Sequence, residues 1–151
     1  MRDIDEAMSE LATAAGLADF GFHPNGRATL FFDSTIEVVF IRLDAETLEL
    51  AVYLDLPAPR DADMLRALLH ANHLGEATGP GRLALDTQDD AVVFCERLRV
   101  TELDAGHLES RLLEFVRHAR FWLSDEGTKL VLGDGVGTGD VTLPRDVVLW
   151  A

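Results

Sequence analysis

Apolar and polar positions change period several times along this chain, and each change marks an element. Ile4, Met8, Leu11 and Ala15 recur at helical spacing. Asp3 precedes them with Glu6 three residues on, a capping-box-like start with Asp in place of Ser or Thr, and Gly16 ends the run. Phe20 and Phe22 then flank Gly21 and lead to a turn at Pro24-Asn25-Gly26. Three strands are predicted next. Residues 27–32 set Ala28, Leu30 and Phe32 against Thr29 and Phe31. Residues 35–43 are apolar on both faces, with Ile36, Val38 and Phe40 on one and Val39, Ile41 and Leu43 on the other. Such a strand should be covered on both faces or meet a partner on one. Residues 48–56 alternate, with Leu48, Leu50, Val52, Leu54 and Leu56 inward and Glu49, Tyr53 and Asp55 opposite. The links Asp33-Ser34 and Asp44-Ala45-Glu46 are short, so the three strands should form an antiparallel meander.

Pro57-Ala58-Pro59 stops the sheet. Asp61 or Asp63 should cap a second helix lined on one side by Met64, Leu65, Leu68, Leu69 and Asn72, and Gly75 should end it. After the turn at Gly79-Pro80-Gly81, residues 82–85 and 91–98 make a hairpin around Asp86 to Asp90. Asp104 opens a third helix, where Leu108, Leu112, Phe115, Val116, Ala119, Trp122 and Leu123 form a wide apolar stripe. Gly127 is expected to close it. The order α-β-β-β-α-β-β-α predicts an α+β domain over residues 1–127, a five-stranded, mainly antiparallel sheet with three helices. Residues 128–151 read as a glycine-rich tail, Gly133 to Asp140, with a strand-like end at Val141-Thr142-Leu143 and Val147 to Trp150. Such an end either adds to a sheet edge or apolar groove of its own dimer or of a neighbour, or is a disordered end with scattered hydrophobes.

Composition narrows the function. At 151 residues the chain suits one domain, large enough to bury roughly 68–70% of its unfolded surface without staples. An apolar content of 48% excludes disorder over most of its length. With 13 basic against 27 acidic side chains the net charge is −14, a field that repels nucleic-acid phosphates and anionic membranes. The same charge keeps a protein soluble while it exposes apolar surface. Cys95 is the single cysteine, so no intrachain disulfide is possible, and its apolar strand suits a buried small hydrophobe. The acidic start has no apolar signal region and no run of 18 apolar residues exists, so a cytosolic location is expected.

Candidate chemistry is sparse. His70 and His73 lie at i, i+3 but have no further ligand at metal spacing nearby, while His23, His107 and His118 are isolated. The alternating glycines give G-x-G-x-x-G-like spacing without the strand before and helix after that a dinucleotide site needs. Asp33, Asp44, Asp55, Asp86, Asp89 and Asp90 mark turns, where Asp bonds nearby backbone. Nothing has the pattern of a nucleophile with its base. No catalytic, cofactor or metal residues are expected, and the chain reads as a protein that holds another protein.

The order of elements, the acidity and a set of spaced residues resemble the class I type III secretion chaperones, the Tir chaperone (CesT-like) family. The matching residues are Leu65-x-x-Leu68-Leu69-x-x-Asn72-x-x-Gly75, Leu83-x-Leu85-Asp86, and Val93 to Leu98. After them come Leu103-Asp104-x3-Leu108 and Leu112-x2-Phe115-Val116-x2-Ala119-x2-Trp122. In the first half Leu11, Gly16-Leu17, the three strands and Leu54-x-Leu56-Pro57 also fit, so the resemblance covers about residues 3–125. It implies a homodimeric, ATP-independent chaperone in the bacterial cytoplasm. Such a protein binds the N-terminal segment of a secreted effector and keeps it extended for export; the export ATPase of the secretion system is a further partner the resemblance admits. The tail goes beyond the usual family ending.

With that resemblance, the first helix and first three strands become the candidate effector-binding surface, through Met8, Leu11, Leu30, Phe32, Val38, Phe40, Val52 and Leu54. Leu65, Leu68, Leu69, Leu83 and Leu85 become the candidate dimer interface. The alternative is a small regulatory or structural dimer of the same fold that binds no export substrate. A partner co-purified from the source cell would separate the two.

Overall fold

Helix α1 (Ile4–Ala15) begins where expected: the Asp3 side chain accepts from the Glu6 N–H, and Gly16 closes it in the left-handed conformation at φ 68°. The computed structural model describes residues 3–59 and 61–133. The apolar segments at 141–143 and 147–150 lie outside the described residues. Strands β1 (Arg27–Phe32), β2 (Ile36–Arg42) and β3 (Thr47–Tyr53) form the antiparallel meander, with Leu30 opposite Val38 and Phe40 opposite Leu50. Helix α2 (Ala62–Asn72), strands β4 (Arg82–Leu85) and β5 (Val92–Arg99) and helix α3 (Ala105–Leu123) follow. The sheet order is β1-β2-β3-β5-β4, so β1 and β4 are its edges.

The described residues cluster into two compact units, 3–52 with 95–116, and 53–59 and 61–94 with 117–133. In the first, Ile4, Met8 and Leu11 of α1 are buried together with Val38, Phe40, Leu48 and Leu50 of the sheet and Leu108, Leu112 and Phe115 of α3. Glu96 is 2% exposed in this core and is paired with Arg111, which offsets the cost of burying its charge. In the second, Met64, Ala67, Leu68 and Ala71 are the buried positions of α2, and the Trp122 indole N–H donates to the Ala77 carbonyl over 3.1 Å.

Four local expectations are corrected. Strand β3 does not alternate between core and solvent: Glu49 and Ala51 are buried as well as Leu48, Leu50 and Val52. It is the central strand, and Arg97 of β5 covers Glu49 at 3.0 Å. Strand β2, by contrast, leaves Val39 and Ile41 half-buried. Helix α2 stops at Asn72 instead of Gly75, with His73 extended and the left-handed backbone falling on Leu74 and Gly75. Its buried face is 64, 67, 68 and 71, so Leu65 and Leu69 point away from it.

The fourth correction concerns Gly127. It does not close α3 but sits inside a further helix, α4 (Asp125–Leu132), capped by Ser124, whose side chain accepts from the Gly127 N–H. A Cβ at Gly127 would overlap the Phe121 carbonyl oxygen and lie 2.8 Å from Trp122 Cα. Glycine is therefore required for α4 to fold back on the end of α3. Gly127→Ala should cost about 1–3 kcal/mol, the range for forced overpacking, and chemical denaturation measures it. An unchanged midpoint would mean that α4 is held elsewhere.

The start of α3 yields a second expectation. The Asp104 carboxylate accepts from the His107 backbone N–H at 2.9 Å and faces the His107 ring. These contacts hold its pKa below the ordinary carboxylate value, the backbone bond first. A lowered folded pKa means that this contribution is complete above the ordinary carboxylate value and is lost as pH falls through the lowered one. Asp104→Ala should flatten the acid side of a melting-temperature versus pH curve and leave its neutral slope unchanged.

Candidate functional site

An edge strand leaves backbone groups unpaired, so the two sheet edges are where an extended chain could be received. The β1–β2 register and the bond from the Arg42 N–H to the Gly26 carbonyl at 2.9 Å fix which β1 residues face inward. Hydrogen-bonded pairs alternate in an antiparallel ladder. Ala28, Leu30 and Phe32 therefore turn their N–H and C=O groups to β2, and Arg27, Thr29 and Phe31 turn theirs to the free edge. Arg27 is already satisfied: its N–H donates to Asn25 Oδ1 at 3.0 Å and its carbonyl accepts from the His23 N–H at 2.9 Å. The turn before β1 thus closes one end of the edge, and among the described residues Thr29 and Phe31 form the open stretch.

Apolar side chains accompany that stretch. Phe31 is 60% exposed on one face of the sheet. Leu30 and Phe32 are half-buried on the other. The opposite edge is treated differently. Strand β4 has four residues, and the Asn72 amide of α2 bonds Leu83 on both sides, donating to its carbonyl at 2.9 Å and accepting from its N–H at 2.8 Å. The two edges are unequal: among the described residues β1 keeps unpartnered backbone positions, while Leu83 of β4 is bonded on both sides.

Beside α1 lies a groove of about 540 Å³, lined by Met8, Leu17, Phe20 and Phe22 with Asp5 and Ser9 among its polar residues. The Phe20 ring meets Phe40 edge-on at 5.2 Å, which anchors the loop after α1 to the sheet. The Asp5 carboxylate pairs with Arg42, whose guanidinium lies 4.8 Å from the Phe22 ring centroid. Helix α2 presents a separate apolar surface, with Leu69 70% and Leu65 40% exposed. His70 and His73 are also exposed. Among the described residues no group of three or more His, Cys, Asp or Glu converges as metal ligands would, and no helix is long and apolar enough to cross a membrane.

A family model, the Tir chaperone protein (CesT) family, matches residues 6–123. The chain belongs to that family. This CesT-family chaperone also shares its fold with solved structures. The chain matched in the ExsC–ExsE complex is 21% identical, at a TM-score of 0.64 over 80% of this chain and 90% of that one. The structure of the Yersinia pestis type III secretion chaperone SycH with a stable fragment of YscM2 gives 22% identity and a TM-score of 0.60 over 80% and 98%. The heterodimeric ExoU–SpcU complex from the type III secretion system of Pseudomonas aeruginosa gives 22% and 0.59 over 85% and 98%. No curated protein sequence matches the chain.

The chaperone's candidate residues separate by position. Of the eight assigned to effector binding, Met8, Leu11, Val38, Phe40, Val52 and Leu54 are buried, while Leu30 and Phe32 lie half-open beside the free edge. Of the five assigned to a dimer interface, Leu68 and Leu83 are buried within the protomer, Leu85 is half-buried, and Leu65 and Leu69 face outward. Leu68→Asp would therefore disturb the protomer itself, and Leu69→Asp is the informative change. Phe31, Leu17, Phe20 and Phe22 were not among the candidates. The pair of aromatics around Gly21, in a stretch otherwise read as a turn, is the signal that could have raised them.

Asn72 yields a direct test of the closed edge. Asn72→Ala leaves the Leu83 N–H and carbonyl without their partner and should cost about 1–3 kcal/mol. Asn72→Asp keeps an acceptor for the Leu83 N–H but sets a carboxylate against the Leu83 carbonyl, so it should destabilise as well. Equal denaturation midpoints for the three proteins would show that Leu83 finds another partner.

Proposed function

We propose that this CesT-family chaperone receives the N-terminal segment of a secreted effector as an added strand along β1 and keeps it extended for type III export without ATP. The observation that carries the reading is the selective opening of the β1 edge. Its first outward residue is satisfied within the chain, Thr29 and Phe31 are left for a partner, and Leu30, Phe31 and Phe32 offer apolar surface on both sides of the incoming strand. Backbone bonds to Thr29 and Phe31 would supply affinity with little demand on sequence, and the flanking side chains would choose the residues that alternate along the client. The buried members, Met8, Leu11, Val38 and Phe40, act as the base that holds this edge in place. A net charge of −14 keeps the receptive edge from pairing with other copies.

A second copy is the further partner in this reading. Leu65 and Leu69 form an exposed stripe on α2 that a homodimer would cover, while Leu68 and Leu83 are buried and Leu85 is half-buried. Leu69→Asp should convert a dimer to a monomer in sedimentation while the circular dichroism of the folded chain stays unchanged. Dimers that persist unchanged would move the interface elsewhere.

The client assignment is tested by co-expressing the chain with N-terminal segments of secreted proteins from the source cell and following hydrogen exchange. Protection should appear at the Thr29 and Phe31 amides in the complex. Phe31→Asp should weaken client binding about tenfold or more, equivalent to about 1.4 kcal/mol, with the fold unchanged. A tight complex with neither effect would place the client on another surface.

A further inference from the structure

One cation already holds two residues of the groove wall beside α1. The Arg42 guanidinium pairs with Asp5 and lies over the Phe22 ring, and both of those residues line the groove together with Met8, Leu17 and Phe20. Arg42 thus already engages a carboxylate and an aromatic ring of the groove wall, the two groups to which a visiting cation would bind. The pair is weakly committed, since the Asp5 side chain is 67% exposed and that of Arg42 31%. Around it the chain is strongly acidic: residues 1–52 contain ten Asp and Glu against three Arg and no Lys.

We propose that this groove is the anchor site for a client segment in which an apolar side chain is flanked by an arginine, and that this arginine replaces Arg42 on Asp5 and Phe22. The inference rests on the client-binding reading and names the chemistry of the segment received. The apolar side chain enters among Met8, Leu17 and Phe20. The exchange substitutes one guanidinium for another, so Asp5 is never left unpaired beside an apolar partner. Arginine suits the site better than lysine because a planar guanidinium can pair with a carboxylate and stack on a ring at once. The acidic field draws such a segment in and rejects an acidic one. Arg42 is then a resident competitor, and removing it should strengthen client binding.

The test uses the full chain and three synthetic peptides with the same alternating Val and Leu residues, carrying arginine, glutamine or glutamate at the polar positions. Calorimetry should rank arginine about tenfold tighter than glutamine at low salt, with glutamate weakest, and the gap should close near ~1 M salt, where the screening length is ~3 Å. Arg42→Ala should tighten the arginine peptide about threefold or more and leave the glutamine peptide unchanged. Arg42→Lys should fall between, because it keeps the charge and loses the stacking. Asp5→Asn should shrink the preference for arginine several-fold, and the side-chain N–H signal of Arg42 should shift when the arginine peptide binds. A preference untouched by all three substitutions would belong to the overall charge and overturn the exchange. Binding of none of the peptides would remove the groove as a client site, and the exchange with it, while protection of Thr29 and Phe31 by an effector segment would still stand.

Discussion

The edges of the sheet are the constraint on which the rest of this molecule depends. Every open sheet leaves two rows of backbone donors and acceptors that water or a partner must satisfy. In this chain an asparagine works at each edge. Asn72 bonds both backbone groups of Leu83 in β4, and Asn25 with His23 satisfies Arg27 at the start of β1. What remains is a short open stretch at Thr29 and Phe31. An edge limited in this way offers room for one extended segment, as proposed, without inviting indefinite strand addition.

That arrangement requires a rigid base, and the first unit contains one. Helix α1 buries Ile4, Met8 and Leu11, and the central strand β3 is buried on both faces. The two acids buried here are both paired, Glu96 with Arg111 and Glu49 with Arg97. Breaking either pair would leave a charge out of water, which costs far more than an exposed ion pair contributes. The Asp5–Arg42 pair is of the exposed kind and can be exchanged. Strength is thus placed in the support and adaptability at the rim, which suits a protein that must hold a client and later release it.

Membership of the CesT family and the open β1 edge point to the same role from independent directions. Family membership comes from the match of residues 6–123 to the family model. The edge comes from individual hydrogen bonds, which no pattern of apolar residues encodes. Neither involves a catalytic group, and the acidity that would hinder contact with nucleic acid favours a basic client segment.

Much of the fold was legible in the chain because it rests on periodicity and local capping. Asp3, Gly16 and Asp61 mark helix ends by bonds within a few residues of themselves, and β1 follows its alternation to the residue. What failed to be legible depended on neighbours distant in sequence. Glu49 reads as a solvent position until Arg97 is placed against it, and Gly127 reads as a helix end until the chain folds back on Phe121. Asn72 sits in the apolar pattern of α2, but its amide serves the Leu83 backbone. The sequence by itself determined the elements from α1 to α3, their order and the family, because those follow from local bonds and the spacing of apolar residues. Only the tertiary structure decided which edge is open and which arginine guards the groove, because both depend on backbone and charged groups brought together from separate segments.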